Sequence, residues 1–338
     1  MSNHQFTIDI LNDALFRAGE QTNGTSDFQG QALIYLNNVY FQICRGGSEL
    51  TPSIKEDWAW LRKPLPGVLA LHPSLTSGTA SLTRGSATLT LSVAPEDTFG
   101  ADLDIETWFF KVDSLPEVYR ISDFTLGATT ATLDQVYLGP TASSLSYTLF
   151  KLDYDLAEDC MRLVAPMRLF QNSGWNSRDD YKVYACDLDT LEDQYPLAYV
   201  EKGIPDYFAP IGEITPGIKR VRFNRCGATD FNTLYRVEYE YLFRPEALTT
   251  DEDEEPLVPL QFRSVLSDYL LAYLLGIKND NRAGAAAQAA QAGLMGMASE
   301  NRYQTTTSTK HSFRMMPRMN GMVRRPGVLR TESGSIIG

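Results

Sequence analysis

The sequence predicts an α+β protein: a helical-bundle core with an inserted antiparallel β-sandwich or barrel module, a second β hairpin and an extended C-terminal arm. Three observations carry this. Apolar residues recur at three- and four-residue spacing near both ends of the chain, as on one face of a helix. Between them the texture changes to short runs of Thr, Ser, Leu and aromatic residues punctuated by Gly and Pro. Residues 303–338 keep neither period.

In the first segment Phe6, Ile10, Leu11, Ala14 and Leu15 share a helical face. Leu33, Leu36, Val39, Tyr40 and Ile43 do the same in the second, with Ser26 or Asp27 as its N-cap. GGSELTPS ends that helix, and EDWAWLRKPLP leads out through Trp58 and Trp60. From residue 66, GTASLTRGSATLTLS alternates around Gly85 as a half-buried hairpin does. DIETWFFKVDSLPEVYRISDF, ATTATLDQVYL and LSYTLFKLD add further short strands, so residues 66–153 are expected to form a small inserted sandwich or barrel. The alternative is a set of hairpins on the main domain.

Residues 154–302 are expected to complete the helical core after residues 1–65. LAEDCMRLVAPMRLF reads as a helix, with Asp153, Asp155, Glu158 and Asp159 as an acidic first turn favoured by the helix dipole. YKVYACDLDTLEDQYP is either a strand leading to a short helix or a helix throughout. IKRVRFN and LYRVEYEYLFRP read as a β hairpin at about 217–244, and Asp251, Glu252, Asp253, Glu254 and Glu255 with Pro256 then form an exposed acidic loop. Phe262, Val265, Leu266, Tyr269, Leu270 and Tyr273 line one face of the next helix. Leu271, Leu274 and Leu275 cover its other side, which predicts burial nearly all round. NDNRAGAAAQAAQAGLMGMASENRY is helical and rich in small residues, suited to close packing within the chain or between subunits.

Composition excludes several classes. The chain has 338 residues, enough for a large core and roughly two domains. No run of about 18 apolar residues suggests a membrane span, and MSNHQFTIDILNDALF does not read as a signal peptide. Cys44, Cys160, Cys186 and Cys226 lie far apart with no C-x-x-C pair, as reduced thiols of a cytosolic product would. The formal net charge of −12 argues against general phosphate binding by the body.

Little in the sequence suggests chemistry. His4, His72 and His311 have no acid or nucleophile at informative spacing, and there is no phosphate-binding or dinucleotide glycine fingerprint. The acidic block lacks the alternate ligand spacing and bend-forming Gly of a calcium loop. Trp58, Trp60 and Trp108 beside apolar neighbours read as core. Neither a catalytic residue, a cofactor nor a metal site is expected.

The C-terminal arm reverses the charge. Across residues 303–338 Lys310, Arg314, Arg318, Arg324, Arg325 and Arg330 meet only Glu332, a balance of +5, which leaves −17 on the remainder. Phe313, Met315, Met316, Met319 and Met322 interleave with these cations. Methionine adapts to irregular apolar pockets and arginine forks onto carboxylates, so the arm suits an acidic, dimpled protein surface better than phosphate.

The order of the pieces is informative: a helical pair, DWAWLRKP, a Thr/Ser/Gly-rich β insertion, YTLFKLDYDLAEDCMRL, an aromatic strand ending in Arg-Pro, an acidic loop, Pro-Leu-Val-Pro, a long apolar helix and an Ala-rich helix. Over residues 5–302 this resembles the head-to-tail adaptor, or connector, proteins of tailed bacteriophages. The resemblance implies a structural, non-enzymatic virion protein of the neck. It would form a homo-oligomeric ring, usually of about twelve copies, beneath the portal protein. The ring would join the capsid to a tail or stopper protein and let genomic DNA pass, with the basic arm docked on the portal. The alternatives are another virion component, such as a tail-tube or decoration protein, or an enzyme acting on a polysaccharide or peptide.

Overall fold

The computed structural model describes residues 6–20, 27–97, 100–164, 166–170, 181–199, 201–213, 217–227, 235–251 and 253–324, with the backbone alone at 27, 28, 170, 198, 213 and 304–324. The fold is α+β and divides into two compact units, residues 1–62 with 245–338 and residues 63–244. The helices are α1 (Thr7–Arg17), α2 (Asp27–Cys44), α3 (Leu188–Gln194), α4 (Arg263–Ile277) and α5 (Ala283–Arg324).

The first unit holds α1, α2, α4 and α5, with α4 packed by the other three. Ile10, Leu11, Ala14 and Leu15 of α1 and Leu36, Val39, Tyr40 and Ile43 of α2 are buried, as their spacing predicts. On α4, Val265, Leu266, Tyr269, Leu270, Leu271, Leu274 and Leu275 are all buried, while Phe262 and Tyr273 are half-buried. Tyr273 stacks on Tyr35 with ring centroids 3.7 Å apart. One small residue of α5 packs within the chain: a Cβ at Gly293 would lie 2.7 Å from Val265 Cγ2. Where α2 ends, Gly46 adopts φ +110°, and a Cβ there would meet the Glu56 carbonyl at 2.8 Å. Trp58 is fully buried and donates its indole N–H to the Ile43 carbonyl.

The second unit is built from β1 (Gly67–Leu71), β2 (Ala80–Leu82), β3 (Thr88–Leu91), β4 (Phe109–Val112), β5 (Val118–Phe124), β6 (Thr130–Leu133), β7 (Ala142–Leu145), β8 (Tyr147–Phe150), β9 (Asp153–Asp155), β10 (Cys160–Leu163), β11 (Met167–Phe170), β12 (Tyr181–Ala185), β13 (Glu201–Lys202), β14 (Tyr207–Glu213), β15 (Lys219–Phe223), β16 (Arg225–Cys226), β17 (Tyr235–Tyr239) and β18 (Tyr241–Phe243). Two seven-stranded sheets form, in the orders β7-β2-β3-β6-β5-β4-β8 and β1-β17-β11-β12-β14-β15-β9, with β10-β18 and β13-β16 as separate pairs.

Both large sheets are nearly closed and barrel-like. In the one formed by β2–β8, the edge strands β7 and β8 are separated in sequence by Ser146 alone, so the sheet must curl to bring its edges together. Its inward residues, Leu89, Leu91, Phe110, Ile121, Leu133 and Leu149, surround Trp108 and Tyr137. Outward threonines alternate with them: Thr88, Thr90, Thr130 and Thr132 are exposed. In the other sheet the His72 backbone N–H, just past β1, donates to the Tyr154 hydroxyl of β9 at 3.0 Å, linking the two edges.

Four expectations are corrected. Residues 154–244 belong to the β unit, which spans 63–244, and not to the helical core, while the β2–β8 barrel is inserted in sequence between β1 and β9 of the other sheet. LAEDCMRLVAPMRLF is not a helix but carries β10 and β11, because the apolar alternation of Met167 and Leu169 fits a strand filled from one side. IKRVRFN and LYRVEYEYLFRP are strands but not partners, since β15 pairs with β14 and β9 while β17 pairs with β1 and β11. The arm is not extended through Arg324, where the backbone is still α5. An Ala-rich helix already nucleated can propagate without a new nucleus, and Met, Arg and Lys are good helix formers. YKVYACDLDTLEDQYP takes the strand-then-helix form, as β12 and α3.

Candidate functional site

The chemistry-bearing residues of the second unit are tied into pairs. Asp153, Asp155 and Asp159 are not an acidic helical turn. Asp153 and Asp155 lie on β9 opposite Arg222 and Arg220 of β15. Arg222 donates to Asp153 through Nε at 2.7 Å and Nη2 at 3.0 Å, and its Nη1 reaches Glu192 at 2.8 Å. Burial disfavours the Arg222 charge, but the Asp153 carboxylate outweighs it and holds the pKa above its ordinary value. Arg220 forks onto Asp155 through Nε and Nη2. Asp159 accepts from Lys63 Nζ at 2.6 Å and from the Tyr241 hydroxyl at 2.9 Å.

The thiols are not activated. Burial pushes Cys160 and Cys226 up to about 11 and raises Cys44 and Cys186 as well, so the thiolate is scarce near neutral pH. No group of three or more His, Cys, Asp or Glu suited to a metal ion occurs among the described residues, and no described helix is long and apolar enough to cross a membrane. Trp58 and Trp108 are core residues with no exposed surface.

The acidic loop of the first unit is more ordered than a solvated run of charge. Asp251, Asp253 and Glu255 are exposed, Glu254 is half-buried, and Glu252 lies outside the described residues. The Glu254 carboxylate accepts from both the Thr249 backbone N–H and hydroxyl, and its carbonyl accepts from the Thr7 N–H at 2.9 Å. Asn37 on α2 exchanges two hydrogen bonds with the Leu248 backbone, at 2.7 and 2.9 Å. Glu255 pairs with Arg263 Nη2 at 3.0 Å, and the Tyr40 hydroxyl accepts from the Leu257 N–H at 3.4 Å. The loop therefore presents Leu257 and Leu260, 40% and 59% exposed, from a fixed backbone.

The positions of the basic arm are described as helical backbone at Lys310, Phe313, Arg314, Met315, Met316, Arg318, Met319, Met322 and Arg324, while Arg325 and Arg330 lie outside the described residues. Where side chains are described, α5 is anchored at Asn301 and Arg302. Asn301 Nδ2 donates to Glu56 Oε2 at 3.0 Å, its Oδ1 accepts from the Ala59 N–H at 2.9 Å, and Arg302 Nε donates to Glu56.

One feature has no counterpart in the sequence reading. The second unit contains an open groove of about 580 Å³ lined by Leu156, Leu163, Val164, Tyr184, Phe208 and Val221 among other apolar residues. Its charged lining residues are Arg162, Lys219 and Arg220, all cations. They come from β10 and β15, separated by more than fifty residues, so no local pattern marks them. The comparisons add no relative: no family model matches the chain, and no curated protein matches it.

Proposed function

We propose that this chain is a head-to-tail adaptor of a tailed bacteriophage. In this reading it assembles as a ring of about twelve copies beneath the portal protein. The ring joins the capsid to a tail or stopper protein, and genomic DNA passes through it. The chain is made in the host cytoplasm and works in the virion neck, with neither cofactor nor metal.

The observation that carries the reading is the architecture. A helical unit is assembled from both ends of the chain, a β unit is inserted over residues 63–244, and a terminal helix runs on into the basic, Met-rich segment. The balance of −17 outside residues 303–338 suits a DNA channel, because like charge keeps phosphate from sticking. The +5 of the arm offers the opposite character to an acidic partner surface.

A second reading, a decoration or tail-tube protein, is favoured by the size of the β unit, which offers two barrels as adhesive modules. Copy number separates the two. Quantitative mass spectrometry of purified particles, with labelling of the chain in electron micrographs, is expected to give about twelve copies at the head–tail vertex. Copies spread over the capsid or along the tail would overturn the adaptor reading.

A further inference from the structure

We propose that the surface around Tyr195, Tyr207 and Arg225 in the second unit binds a neutral oligosaccharide. The C–H faces of sugar rings would lie on the two phenol rings, and a pair of sugar hydroxyls would bridge Arg225 and Glu201. The inference goes beyond the adaptor reading and does not rest on it.

The polar half of the site is built by strands that meet only in the fold. β13 and β16 run parallel, with Glu201 opposite Arg225. Arg225 donates through Nε to Glu201 Oε2 at 2.9 Å, and through Nη1 to the Ile204 carbonyl at 3.2 Å and to Asp206. Asp206, just before β14, also accepts from the hydroxyl of Tyr181 on β12. The guanidinium is therefore held in one orientation before any ligand arrives, which limits the ordering cost of binding.

The aromatic half lies beside it. The rings of Tyr195 and Tyr207 stand 6.3 Å apart and are tilted by 36°. Tyr207 is 38% exposed and Tyr195 half-buried. Tyr195 acts on the Arg225 charge and Tyr207 on the Tyr181 phenol, so rings and charges share one surface. A tyrosine offers an apolar ring with a polar tip, which suits a ligand with apolar faces and a hydroxyl rim.

Two polar atoms at the centre are left over. Arg225 Nη2 and Glu201 Oε1 have no hydrogen-bond partner among the described residues. An idle donor beside an idle acceptor matches two adjacent hydroxyls, since each hydroxyl can both donate and accept. Asp206 and Glu201 outnumber Arg225, so an anionic ligand is repelled. A cationic ligand would use the carboxylate but meet repulsion from the guanidinium and leave Nη2 unanswered. A neutral sugar satisfies both groups, and aromatic surface with a few placed polar groups is the usual make-up of a small-molecule site.

The test uses the full chain, fluorescently labelled and applied to a printed array of neutral, sialylated and sulfated oligosaccharides with a lysine-rich peptide alongside. Binding to neutral oligosaccharides is expected, and the tightest of them is then titrated in solution. Tyr207→Ala should weaken that binding by about tenfold, while Tyr207→Phe, which keeps the ring, should retain it. Glu201→Ala, at a side chain 60% exposed, should weaken it as well. Thermal melting followed by circular dichroism shows that each variant is folded, and Glu201→Ala decides the matter if Tyr207→Ala does not fold.

Absence of binding to every neutral oligosaccharide overturns the proposal, as does a preference for the acidic ones. Binding to the lysine-rich peptide in their place overturns it too, and would make this a docking surface for a basic protein segment. Neutral binding that folded Tyr207→Ala and Glu201→Ala both leave intact overturns it by placing the sugar elsewhere. The adaptor reading is judged separately, by copy number and position in the particle, so either can fail without the other.

Discussion

Arg222 and Asp153 face each other across β15 and β9 in a two-pronged ion pair, with the carboxylate fully buried and the guanidinium nearly so. The Arg222 guanidinium also lies 5.3 Å from the centroid of the Phe109 ring. Phe109 belongs to the β2–β8 barrel and Arg222 to the other, so this one cation is shared by both barrels. Phe109, Phe150, Leu152 and Cys226 form a small apolar cluster at the same place.

Removing one member of this pair should therefore be costly. Asp153→Ala leaves a buried guanidinium without its forked acceptor, and should destabilise the second unit by about 3–5 kcal/mol. Replacing Asp153 and Arg222 together with apolar residues should cost less than Asp153→Ala alone. Urea unfolding of the three variants checks this. Equal losses for the single and double changes would mean that the pair contributes through packing alone.

A pH dependence should come from His72. Its imidazole is packed 5.6 Å from the Trp108 ring, and burial, reinforced by the nearby Lys151 ammonium, holds its pKa below the ordinary 6.5. The folded state thus resists protonation more than the unfolded chain does. Stability is full above about pH 6.5 and declines as pH falls through the depressed folded value. The urea midpoint of the wild type should drop as pH falls below about 6.5, and His72→Gln should flatten that drop. An unchanged slope would assign the titration to another group.

The β unit should be separable from the helical one. The Lys63 N–H donates to the Tyr241 carbonyl at 3.1 Å, and Lys63 Nζ pairs with Asp159, so the chain enters and leaves this unit at adjacent points. Replacing residues 63–244 with a short Gly-Ser linker should leave α1, α2, α4 and α5 folded, read by helical circular dichroism and a cooperative thermal transition. A product with no cooperative unfolding would show that the helices depend on the barrels.

Under the adaptor reading, the basic segment acts on a partner and not on the body. A chain ending at Arg302 keeps the Glu56 contacts of Asn301 and Arg302, and should be soluble and folded. It should fail to stay on the portal protein in a co-sedimentation experiment. Unchanged retention would rule out the arm as the portal contact, and loss of DNA retention with docking intact would point to DNA as its partner.

The sequence by itself determined the helices of the first unit and the alternation of the β2–β8 barrel. Those signals are local: a helix or half-buried strand repeats its apolar residues within a few positions, as Ile10, Leu11, Ala14 and Leu15 or Leu89 and Leu91 do. Charge was also legible, since the acidic run and the basic arm are properties of composition. Only the tertiary structure decided where the carboxylates around Asp153 belong. An acidic cluster before an apolar run satisfies a helix dipole equally well on paper, and only the return of Arg220 and Arg222 on a strand more than sixty residues later makes them strand partners. The same non-local pairing placed β1 beside β17, moved the boundary of the β unit to residue 244, and brought β10, β12, β14 and β15 together around the groove. Strand pairing is a contact between distant segments, and the physical reason it escaped the sequence is that period-2 patterning fixes which face a strand buries but not which strand it meets.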